Sequence, residues 1–195
     1  MTENVPFPSW ESFYVIVGSS AGALTGLQFV VMALIADSRR NPSPETISAF
    51  GTPTIVHFCA VLVLSAILSA PWPSLTGPTW LLGAAGAIGL IYAGVISLRT
   101  SRQKDYKPVL EDWVFHSILP GIAYGLLFAG GILLRSRTTP ALFMIGTMTV
   151  IMLLVGIHNA WDTVTFLVVM DSKSKAKTTD NTADNTAATG SATTK

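Results

Sequence analysis

The chain contains a single cysteine, Cys59, so no disulfide can close within it and no paired-thiol motif is available. Set in an apolar run, Cys59 reads as a small core residue. Charge is also scarce. Asp, Glu, Lys and Arg make up 12% of the residues, against about 25% in an average soluble domain. No phosphate-cradling loop or His-Glu-x-x-His motif occurs, and the Gly-x-Ser-x-Gly spacing of Gly18, Ser20 and Gly22 lies inside an apolar helical run rather than at a strand-to-helix elbow, so the common local signatures of enzymes find no support. No basic patch interleaves with aromatics, so nucleic acid is not an expected partner. The opening stretch MTENVPFPSWESFY has no Lys or Arg. It therefore lacks the basic region of a cleavable signal peptide, and the first apolar run is expected to be retained.

What remains is hydrophobic: 50% of the residues fall in that class. The few charges cluster, and between them lie apolar runs close to the ~20 helical residues that cross ~30 Å of hydrocarbon. The pattern predicts an all-α integral membrane helical bundle of about five transmembrane helices. The spans are expected at about 12–36, 51–70, 79–98, 113–134 and 140–170. Ser43, Pro44 and Glu45 predict the cap and first turn of the second helix. Pro53 and Pro120 predict kinks, and Pro71–Pro78 a tight polar-aromatic turn. The last run would measure roughly 45 Å as a helix, so it must tilt, project or break. Residues 172–195 are Thr, Ala, Asn, Asp, Lys, Gly and Ser, a composition that predicts a disordered tail.

Basic residues favour the cytoplasmic side. With five spans, Arg39, Arg40, Arg99, Arg102, Lys104, Lys107 and the tail lysines fall on one side, and only Arg135 and Arg137 on the other. The expected topology is N-out/C-in. Trp10, Trp72 and Trp80 then mark the outer interface, and Tyr106, Trp113 and Trp161 the inner one.

Helices in lipid associate through small residues. Gly18, Gly22 and Gly26 share one face of the first span, widened by Ser19 and Ala23, and Gly121 and Gly125 repeat the spacing in the fourth. Gly83, Gly86 and Gly89 lie among alanines in the third. These faces serve either packing within the chain or a homo-oligomer interface. Ser19 and Ser20 do not make a nucleophile, because no histidine occurs in that span.

The polar residues within the spans form one candidate ion site: His57, His116, His158, Asp162 and Gln28, all in the expected cytoplasmic half. Imidazole relays protons or binds metals, and Asp162 lies one turn beyond His158, in position to ligate or orient it. The plainer reading makes the same groups structural, with the histidines bonded to neighbouring helices and Asp162 paired to Arg99 or Arg102. Whether a metal binds stays open, and no cofactor is expected.

The stretch AGALTGLQFVVMALIAD, Ala21–Asp37, resembles the first span of small multi-pass proteins of the bacterial inner membrane that have no assigned function. Their A-x-L-T-G-L-x-F-V pattern is matched by Leu24, Thr25, Gly26, Leu27, Phe29 and Val30, with Ala21 offset by one position and Arg39 and Arg40 supplying the basic loop. The stretch that carries the resemblance, 21–40, is about a tenth of the chain. It implies a bacterial cytoplasmic membrane and carries over no catalytic residue. The expected protein is not an enzyme. It acts through helix packing, as an oligomer or a subunit with a membrane-protein partner in the lipid bilayer; the alternative is a small proton or ion channel or transporter.

Overall fold

The computed structural model describes residues 6–37, 44–102 and 113–192, with side chains over a narrower range. Those residues are helical apart from short turns, and no strand occurs among them. A 3-10 turn, Phe7–Trp10, leads into α1, Glu11–Asp37. Then follow α2, Pro44–Ser69, and α3, Thr76–Arg102. A π turn, Val114–Ile118, opens α4, Leu119–Leu133, and α5 runs over Thr138–Ala192. Among the described residues four helical stretches are long and apolar enough to cross a membrane: Phe7–Ala33, Thr52–Ser69, Thr76–Leu98 and Thr138–Thr165. Leu119–Leu133 is a shorter apolar helix. The chain is a membrane-type α-helical bundle.

Proline sets several boundaries. α2 starts at Pro44, where a missing N–H costs nothing. The cap expected at Ser43 lies outside the described residues, as do Arg39, Arg40, Lys104, Tyr106 and Lys107. α3 begins at Thr76, ahead of the predicted Thr79, because a first turn tolerates Pro78. α2 runs on as helix through Pro53. At Pro120 the expected disturbance takes a definite form. Pro120 cannot donate a backbone bond, and the turn before it widens so that the Leu119 N–H reaches the Val114 carbonyl.

The chain divides into two compact units, Met1–Ala160 and Trp161–Lys195. In the first, α1 packs along α2 and α3 along α4. The first unit's part of α5 carries a buried stripe, Ala141, Ile145, Met148, Met152 and Val155, all 0% exposed. The spacing of three or four keeps these residues on one face. Outward lie Ile16, Ile88 and Ile91, each about two-thirds exposed. Such an exterior suits lipid and would be costly against water. The second unit is helical through Ala192, over the stretch whose composition predicts disorder. Extending an existing helix adds a hydrogen bond per residue without a new nucleus, so helix can propagate where no core supports it.

Several hydroxyl groups in the apolar helices bond back to their own helix. Thr149 Oγ1 donates to the Ile145 carbonyl at 2.7 Å, Thr25 to Ala21 at 2.8 Å and Ser97 to Ala93 at 2.9 Å. Each satisfies a donor where no water is available.

Glycine carries the closest helix contacts. A Cβ on Gly131 would lie 2.5 Å from the Gly83 nitrogen, and one on Gly86 would lie 2.5 Å from the Phe128 nitrogen. The α3 and α4 backbones therefore touch. Gly89 completes this seam against the Tyr124 ring. On α1, Gly18 abuts Ser65 of α2, where a Cβ would come within 2.7 Å of the serine Cβ, and Gly22 faces Leu62 at 3.8 Å. At Gly26, Gly121 and Gly125 the intrachain half of the expectation finds no support among the described residues, since a Cβ at any of them meets nothing within 4 Å. Four-residue spacing puts glycines on one face but does not say which face meets a neighbour. In α4 the seam uses Gly131 and the Phe128 backbone instead.

Substituting Ala at Gly86 or Gly131 is expected to destabilise the bundle by about 1–3 kcal/mol through overpacking. Gly125→Ala is expected to stay within ~0.5 kcal/mol of the parent. Thermal unfolding in detergent micelles reads both; equal losses at seam and open positions would contradict this packing.

Candidate functional site

Helix register brings several polar groups to one level. α1 and α2 run antiparallel with Gly18 against Ser65 and Gly22 facing Leu62. Carrying that register about two turns further sets Gln28 level with Thr54 and His57. α5 joins at the same height, because Gly156 lies against the Phe58 ring and Asn159 follows one turn later. Tyr124 of α4 completes the layer, its ring centroid 6.4 Å from that of His57.

These groups are sealed from the surroundings. Thr54 is 0% exposed, Gln28 and His57 2%, and Asn159 3%. The result is a buried polar layer to which α1, α2, α4 and α5 all contribute. Polar side chains at such a level either hold helices in register by hydrogen bonding or handle ions and protons. The Gln28 Nε2 donors meet no acceptor among the described residues. A buried amide with unmatched donors carries a desolvation penalty of ~1–3 kcal/mol.

The residues singled out in the sequence divide among different surroundings. His57 is buried beside Tyr124. His158 stacks on Phe115, with ring centroids 3.5 Å apart and planes 17° from parallel. This stack ties α5 to the π turn. The His116 side chain lies outside the described residues, and its backbone sits in that turn. Asp162 is exposed and belongs to the second unit. Arg99 and Arg102, its expected partners, have side chains outside the described range. Among the described residues no three His, Cys, Asp or Glu side chains are placed to hold a metal ion.

Thr54, Tyr124 and Asn159 were absent from the sequence-based set. Asn159 carried a usable signal, because a carboxamide inside a long apolar run must find partners. Thr54 and Tyr124 carried none, since threonine bonds its own helix and tyrosine reads as a packing aromatic.

Comparison with known proteins finds no matching family, no similar curated protein and no similar solved structure. The fold and the buried layer therefore define a class only, a helical bundle of membrane type with a polar stratum crossing its core.

Replacing Gln28 with Leu separates the two roles of this layer. Removing the unmatched amide is expected to raise bundle stability by about 1 kcal/mol. A lower unfolding midpoint in micelles would mean that the amide holds the helices together.

Proposed function

We propose that this chain is a multi-pass protein of the bacterial cytoplasmic membrane, N-out and C-in, that acts without catalysis by lateral association in the bilayer. It would work as a homo-oligomer or as a subunit beside another membrane protein. The observation that carries this reading is the division of small residues on α1. Gly18 and Gly22 are turned to α2, whereas Ser19, Ala23 and Gly26 are exposed, and a Cβ on Gly26 would meet nothing within 4 Å. Positions 19, 23 and 26 follow the spacing of one helix face. Small residues on such a face let a second helix approach closely in lipid, where apolar burial gives no driving force. The split of basic residues supports the orientation, and the first-span resemblance supports the bacterial membrane.

Gly26→Leu is expected to disrupt assembly and leave the bundle folded, because the new side chain enters open space. Chemical crosslinking in native membranes, read beside unfolding of the purified protein, tests this. A parent chain that remains a monomer without a partner would overturn the reading.

The polar layer favours a second reading, a small proton or ion pathway through His57. Reconstituted liposomes would then show flux that falls at least about tenfold in His57→Ala, the loss expected when a proton-handling group is removed. Flux indifferent to His57 would remove this reading.

A further inference from the structure

We propose that a cavity at the Trp72 end of the bundle binds an alkylammonium group, from a phospholipid amine head or from a free amine. The cavity has a volume of about 270 Å³ and lies between the 3-10 turn before α1 and the end of α2. Its walls include Phe7, Glu11, Leu68, Ser69, Ala70 and Trp72. The volume falls just under the ~300–1,000 Å³ of drug-sized sites, so it suits a compact group.

The lining chemistry selects charge and shape. Among the described lining residues Glu11 brings the one formal charge, and it is negative. A cation is therefore favoured and an anion repelled. Phe7 and Trp72 add aromatic rings, whose faces attract ammonium groups. Leu68 and Ala70 offer apolar surface to the alkyl substituents, and Ser69 a hydroxyl.

The aromatic wall is preformed. Trp72 Nε1 donates to the Ile67 carbonyl at 2.6 Å, which fixes the indole against the end of α2. Gly77 makes room for it, since a Cβ there would lie 2.6 Å from the Trp72 ring. A wall already held in place loses little freedom when a ligand arrives.

Depth argues in the same direction. The apolar stretch of α1 opens at Phe7, and that of α2 closes at Ser69. The cavity thus sits where two spans leave the hydrocarbon, the level of lipid headgroups and of interfacial tryptophans. It shares no residue with the α1 face or the polar layer invoked above, and it stands or falls independently of them.

Tetramethylammonium chloride is the probe for the full-length protein in a neutral detergent, with tryptophan fluorescence as the readout and tert-butanol as an uncharged control. Saturable binding of the cation alone is expected. Glu11→Gln should weaken it about tenfold or more, as loss of a charged partner requires. Ala70→Leu, which fills the cavity and keeps Glu11, should abolish it. Nanodiscs of mixed phosphatidylethanolamine and phosphatidylglycerol distinguish the sources. Retention of the ethanolamine lipid by the parent, lost in Glu11→Gln, assigns the lipid head; equal retention of both lipids beside saturable tetramethylammonium binding assigns a free amine. Absence of saturation, equal binding of tert-butanol, or unchanged affinity in Glu11→Gln would overturn the proposal.

Discussion

Hydrocarbon offers a peptide bond no alternative hydrogen-bonding partner, and much of this architecture follows from that. Backbone groups must pair within a helix, because each one left unmatched there costs several kcal/mol. Hydroxyl groups obey the same constraint: Thr25, Ser97 and Thr149 return their protons to carbonyls one turn back. Proline cannot obey it, so the chain widens into a π turn just before Pro120.

The same constraint changes how helices find one another. Apolar burial does not drive association when lipid is as apolar as the side chains, so close contact must do it. In the α3–α4 seam Gly83 and Gly86 of one helix oppose Gly131 and Phe128 of the other at backbone distance. In the α1–α2 seam Gly18 meets Ser65. The first unit's part of α5 instead offers Ile145, Met148 and Met152 as a buried apolar face. Larger residues such as Ile88 and Ile91 on α3 lie exposed on the outside of this unit.

Polar groups occupy two kinds of place. One is the buried layer of Gln28, Thr54, His57, Tyr124 and Asn159, where register fixes the height of each group. The other is the end of the bundle, where Trp72 folds back on α2 and a cavity opens beside Glu11. The layer is formed by helices distant in sequence, and the cavity by the meeting of the chain's beginning with the α2–α3 turn. His158 belongs to neither, being held against Phe115.

The helical class and the apolar runs were readable from residues alone, because hydropathy and span length are local properties. Proline's tolerance of a first turn, used at Pro44, is local chemistry, and a run such as Thr138–Thr165 is apolar before it touches anything. Pairing was not readable. Gly125 and Gly131 are both glycines in one apolar helix, yet only Gly131 meets a backbone. His57 and His158 both sit in apolar runs, yet one is buried beside Tyr124 and the other stacks on Phe115. Periodicity assigns a residue to a face of its own helix; which neighbour covers that face depends on rotations and registers set by all the helices together, and only the tertiary structure decides them.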